Sequence, residues 1–132
     1  MIGVDTNVLV RYIVQDDPFQ SDTATRFFES ELSAENKGFV TSVVLCEVAW
    51  VLARTFKLDR IELSQVLERL LGANVLAHED AHSALIALRE FRTSRLSFAD
   101  CLIAQACKRF GCTEIVTFDA NFSRRTDARL LG

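Results

Sequence analysis

Apolar residues along the chain follow two rhythms: short unbroken runs, and longer stretches in which they recur at helical spacing. Ile2-Gly3-Val4, Phe39-Val40-Thr41, Asn74-Val75-Leu76-Ala77 and Glu114-Ile115-Val116-Thr117-Phe118 are of the first kind and predict buried strands. Helices with readable starts lie between them. Asp5-Thr6-Asn7 offers capping side chains to a helix carrying Val8, Leu9, Tyr12 and Ile13. Pro18, after Asp17, suits a first helical position, and Ala24, Phe27, Phe28 and Leu32 form the stripe of that second helix. Ser42 is placed to cap a third, from Val43 to about Phe56, which is apolar on nearly every side and so expected to be buried. Asp59 with Glu62 spells a capping box for a fourth, ending at Leu71-Gly72. Asp80 caps a fifth, with Ala81, Ala84, Leu85, Leu88 and Phe91 on one face, and Ser97 with Asp100 opens a sixth that runs to Phe110. Residues 120–132 read as a polar tail with a short edge strand from Ala128 to Leu131. This alternation predicts the α/β class: a parallel sheet of about five strands flanked by helices on both faces. No linker or repeat interrupts residues 1–132, so one domain is expected.

Composition adds a constraint and a puzzle. Of 132 residues 49% are hydrophobic, enough for a core, and Pro and Gly are too few for a low-complexity chain. Cys46, Cys101, Cys107 and Cys112 form no C-x-x-C pair and read as reduced, small apolar residues. No secretory signal opens the chain, and its longest apolar run is broken by Glu47, so a soluble, cytoplasmic protein is expected. The net charge of −3 argues at first sight against a polyanion as ligand. The charge is uneven, however. Residues 1–88 carry 7 basic and 13 acidic groups, whereas residues 89–132 carry 8 basic and 5 acidic.

Ligands of open parallel sheets bind beyond the carboxyl ends of the strands. Asp5 and Asp119 stand at two such ends, Glu47 follows the second strand by a turn or two of helix, and Asp100 sits on a first helical turn. Each has a bland use as well: a cap for Asp5, Asp100 and Asp119, a salt bridge for Glu47, whose apolar flanks make a charge expensive. As a set they suggest carboxylates in one cleft, which cannot all stay ionised without compensation. A hard divalent cation supplies it, and oxygen donors favour Mg²⁺ or Mn²⁺ over Zn²⁺. His78-Glu79-Asp80-Ala81-His82 matches the zinc-protease pattern in letters only, because a strand end and a helix cap break the continuous helix it requires. A phosphorylated receiver domain would need an acidic pair after the first strand and a late Lys, and neither is present.

In four segments the chain resembles the PIN-domain ribonucleases, specifically the VapC-type toxins of toxin–antitoxin pairs. They are Gly3-Val4-Asp5-Thr6-Asn7-Val8-Leu9, Cys46-Glu47-Val48, Ser97-Phe98-Ala99-Asp100-Cys101-Leu102-Ile103-Ala104 and Val116-Thr117-Phe118-Asp119-Ala120-Asn121-Phe122. The resemblance implies an acidic quartet of Asp5, Glu47, Asp100 and Asp119 holding one or two Mg²⁺ or Mn²⁺ ions, with Thr6, Asn7, Thr117 and Asn121 orienting ligands or water. It implies an endoribonuclease inhibited by a cognate VapB-type antitoxin, whose Arg would suit the acidic pocket, and a homodimer. The apolar residues Tyr12, Ile13, Phe19, Phe27 and Phe28 are candidates for the antitoxin groove, and Arg92, Arg95, Arg124 and Arg125 for contacts to the RNA backbone. A PIN-like module that binds RNA or protein without cleaving it is the alternative. If the quartet is committed to metal, 14 acidic groups face 15 basic ones, and the net charge no longer excludes a nucleic acid.

Overall fold

The computed structural model describes residues 1–132, as two compact units, Met1–Ala81 and His82–Gly132. The first unit runs β1 (Ile2–Gly3), α1 (Thr6–Val14), α2 (Pro18–Ser30), β2 (Gly38–Val40), α3 (Ser42–Arg54), α4 (Arg60–Gly72) and β3 (Leu76–His78). α5 (Ala81–Thr93) starts at the boundary. The second unit continues with α6 (Phe98–Arg109), β4 (Val116–Thr117), α7 (Ala120–Thr126) and β5 (Arg129–Leu130).

In the first unit β2 is the middle strand, parallel to both neighbours, with Gly38 paired to Ile2 on one side and Leu76 on the other. Parallel neighbours need crossovers, and the helix pairs α1–α2 and α3–α4 provide them. Gly38 is where this layer closes. A Cβ there would stand 2.9 Å from Val4 Cγ2, 3.0 Å from Leu76 Cδ2 and 3.1 Å from Leu32 Cδ1. Leu9, Val48, Leu52 and Leu67 are sealed from solvent. The strands' carboxyl ends lead into Asp5, Thr41 and Glu79, so α1 and α3 both start at this edge.

Local chemistry explains the helix ends. Asp17 accepts from the amides of Phe19 and Gln20 behind Pro18, and α4 carries the full Asp59–Glu62 capping box. The cap of α3 is Thr41 rather than Ser42: Thr41, still extended, accepts from Val44 N at 3.1 Å, while Ser42 N donates to the Glu79 carboxylate at 2.9 Å. Nor is α3 buried all round. Val43, Glu47, Trp50 and Arg54 share one exposed stripe at spacings of four and three, with the Arg54 guanidinium 5.7 Å from the Trp50 ring centre.

In the second unit β4 and β5 pair in parallel, Val116 opposite Arg129 and Thr117 opposite Leu130. Glu114 and Arg129 clamp the pair at 2.8 Å, and the guanidinium lowers the Glu114 carboxyl pKa through hydrogen bonds and charge. Each unit thus carries a parallel sheet, of three strands in the first and two in the second; the α/β class is as expected, with fewer strands to a sheet than the five read from sequence. The strand expected over residues 114–118 is cut short because Asp119 N folds back onto Thr117 Oγ1 (3.0 Å) and its carboxylate opens α7. That helix is absent from the sequence reading, since only Phe122 in it is buried. Leu85, grouped on one face of α5 with Ala84, Leu88 and Phe91, is 52% exposed while those three are buried. None of the four cysteines is in a disulfide, and Cys112 is exposed. No helix is long and apolar enough to cross a membrane.

His78 gives the first unit a dependence on pH. Its Nε2 pairs with Leu70 O at 2.9 Å while its buried Nδ1 has no partner. Burial holds its pKa below the ordinary value of 6.5, against the smaller opposing pull of the Leu70 carbonyl. The unfolded chain therefore binds this proton at higher pH than the folded one. Stability is full above about pH 6.5 and falls as the pH drops from there toward the folded-state pKa. Urea midpoints measured from pH 7 to pH 5 are expected to fall less steeply in His78→Gln than in the parent, and equal slopes would remove His78 as the cause.

Candidate active site

Asp5 ends the first strand run and caps α1: its Oδ1 accepts from Thr6 N at 2.7 Å. The hydroxyl of the same threonine donates to Glu47 Oε1 on α3 at 3.1 Å. Thr6 therefore ties two carboxylates, 42 positions apart in sequence, to one residue, and leaves an oxygen of each without a protein donor. Both line a cavity of about 370 Å³ between α1 and α3, together with Asn7 and Arg11. The Arg11 guanidinium is already committed, to Asp16 at 3.0 Å and to Gln20 Oε1 at 2.8 Å, so no cation is paired with Asp5 or Glu47.

Glu47 is exposed, so the argument from a costly buried charge does not apply to it. What singles it out is its pairing with Thr6 across the groove. Two carboxylates without a cation, supported by a hydroxyl, a backbone amide and the nearby Asn7, make an all-oxygen acceptor set. Such a set fits a hard divalent ion and does not suit a soft one.

The other two predicted acids belong to the second unit. Asp100 is on the first turn of α6, where its amide donates to Ser97 Oγ at 3.0 Å. In α4, Glu62 reaches back to the cap amide, but Asp100 makes no such return bond, so capping does not use its carboxylate. Asp119 caps α7, its Oδ1 accepting from Asn121 N at 2.9 Å and Phe122 N at 3.2 Å. Thr117 and Asn121, chosen from sequence for their neighbourhood, are thus both hydrogen-bonded to Asp119, as Thr6 is to Asp5. Arg92, Arg95, Arg124 and Arg125 are all exposed. His78 lies in β3 and His82 in α5, with Glu79 and Asp80 outside both elements between them, so the zinc-protease spacing has no helix to act on.

Val10, Val51, Thr55 and Phe56, which carry no chemical motif, line the same cavity as Asp5 and Glu47. A signal was present: Glu47, Val51 and Thr55 are four apart and so share one helix face.

The PIN domain family model matches residues 2–128. The chain is also 26% identical over 121 residues to a protein described as a VapC ribonuclease from Aquifex aeolicus (strain VF5), covering 92% of this chain and 89% of that one.

Proposed function

The chain belongs to the PIN domain family, and from that premise we propose that it is a VapC-type toxin, a Mg²⁺- or Mn²⁺-dependent endoribonuclease held in check by a VapB-type antitoxin. The observation that carries this reading is the pairing of Asp5 and Glu47 through Thr6 in one cavity with no cation to neutralise them. Their free oxygens would hold the ion. Asp100 and Asp119 are assigned to the same task by their motifs, and by having carboxylates that a cap does not exhaust.

Bound there, a divalent ion supplies charge neutralisation for the phosphoryl oxygens and a more acidic water. The protein's own part is positional. Thr6 fixes one oxygen of each carboxylate, so the other points with little freedom. Of the two free oxygens, one not engaged by the ion would take a proton from the water that attacks phosphorus in line; the P–O3′ bond breaks, and the upstream strand leaves as a 3′-hydroxyl when that carboxyl returns the proton to its 3′-oxygen. Because water and not the 2′-hydroxyl attacks, the downstream product carries a 5′-phosphate.

Arg92, Arg95, Arg124 and Arg125 are assigned to the RNA backbone, the last two lying together on the final turn of α7. The five apolar residues assigned to the antitoxin divide between two grooves beside α2. Phe19 and Phe27 line one of about 770 Å³, and Tyr12, Ile13 and Phe28 one of about 560 Å³, where Tyr12 stacks on Phe28 at 4.1 Å. With Phe19 80% exposed, the larger groove is the better seat for an apolar antitoxin segment. A homodimer and a cytoplasmic setting complete the proposal.

The test is end-mapping of RNA incubated with the purified protein, with Mn²⁺ or with excess EDTA. Fragments bearing 5′-phosphates that vanish in EDTA are expected. Cyclic 2′,3′-phosphate ends, or full activity in EDTA, would overturn the mechanism. RNA binding without any cleavage would return the chain to the non-catalytic alternative.

A further inference from the structure

The cavity that holds Asp5 and Glu47 is only half acidic. From Glu47 the half-buried Val51 and then Thr55, the C-cap of α3, follow at intervals of four, about 12 Å along the helix axis, and Phe56 lines the same cavity. Val10 of α1 faces the cavity from the opposite side. Phe56 is held in place by the way α3 stops. Its amide donates to Val51 O at 3.3 Å, Leu58 N reaches Leu52 O at 3.1 Å, and Lys57 between them adopts φ 60°. A side chain larger than glycine's in the left-handed region costs on the order of 1 kcal/mol, so this turn is built rather than incidental.

We infer that the apolar end of this groove, formed by Val10, Val51 and Phe56 with the Thr55 hydroxyl at its rim, is a subsite for a nucleobase of the RNA next to the bond being cut. The inference rests on the ribonuclease reading and names what that site recognises. Charge decides between a base and a phosphate as occupant. A second phosphate in the groove would meet Glu47 and Asp5 with the only wall cation, Arg11, already paired to Asp16. A neutral base meets no such penalty, and its faces match an aromatic and two branched aliphatic side chains. The volume of about 370 Å³ lies in the range of small-ligand sites. Asp5, Glu47 and Phe56 line the same cavity, so a phosphate at the carboxylates and its neighbouring base on Phe56 would share it.

Two measurements on the full chain test this. In the first, nucleoside 5′-monophosphates are titrated with Mg²⁺ present while the methyl signals of Val10 and Val51 are followed, with ribose 5-phosphate and Mg²⁺ as the baseless control. Ring-current shifts from the nucleotides alone are expected, weakened in Phe56→Ala and kept in Phe56→Tyr. An equal response to ribose 5-phosphate overturns the inference and makes the groove a sugar–phosphate site. In the second, kcat/KM is measured for an RNA cut at one position and for the same RNA abasic beside it. Phe56→Ala is expected to lose roughly 5- to 150-fold on the intact RNA, the span of aromatic stacking on one base, and nothing further on the abasic one. Additive losses would overturn the subsite while leaving the ribonuclease reading intact. Nucleotide-specific methyl shifts with no cleavage by the parent protein would do the reverse.

Discussion

Asp5→Asn is expected to slow RNA cleavage by on the order of 10³-fold while leaving the protein folded, the scale on which removing a single transition-state electrostatic partner acts. The two halves of this expectation have separate causes. As a cap, Asp5 uses one oxygen, Oδ1, to accept from Thr6 N. The amide oxygen of Asn does the same, and Asn caps helices about as well as Asp. What the substitution takes away is the charge on the second oxygen, together with about 0.3–1 kcal/mol of attraction to the helix dipole. Urea midpoints should therefore move little. Asp5→Ala, which lacks the acceptor, should lose the activity and a further ~1 kcal/mol of stability. If Asp5→Asn cleaves RNA within tenfold of the parent, Asp5 is a cap and the metal assignment falls. The same comparison applies to Asp119, whose Oδ1 is likewise spent on the amides that open α7.

Phe98→Ala is expected to cost about 3–5 kcal/mol, a large part of the ~5–15 kcal/mol that holds a domain of this size together. Phe98 is the largest of the nearly inaccessible side chains, at 2% exposure, and packs edge-to-face with Phe91 at 6.3 Å. It is also the first residue of α6, directly after the Ser97 cap. Removing the ring leaves a cavity under the turn that carries Asp100, so catalysis should decline along with stability. Phe98→Leu keeps most of the volume and should cost less than about 1.5 kcal/mol. Chemical denaturation of the three proteins decides it: a loss under 1 kcal/mol for the alanine variant would mean that the site collapses around the gap and that Phe98 does not anchor α6.

What could be read from the sequence was what depends on neighbours in sequence. The Asp59–Glu62 box, Pro18 behind Asp17 and the Ser97 cap are local hydrogen-bonding patterns, and each appears where its letters put it. The orientation of α3 was not legible. With Val43 and Trp50 on its outer face, the helix shows no polar stripe from which to infer an inside. Helix α7 was missed because one buried residue, Phe122, makes no period. For the candidate site the acids themselves were legible, since strand ends and caps mark them. The Thr6–Glu47 bond and the apolar half of the cavity were not, because they depend on how α1 and α3 come to lie side by side.

Gly38 shows how far a position's constraint can lie from its chemistry. It bears no functional group, yet any side chain at that place would force Val4, Leu32 and Leu76 apart, and Val4 is the residue that hands the chain on to Asp5. On the proposed reading, a genetic screen that scores only the loss of function would place Gly38 beside the carboxylates, and would mistake a shortage of space for a chemical role.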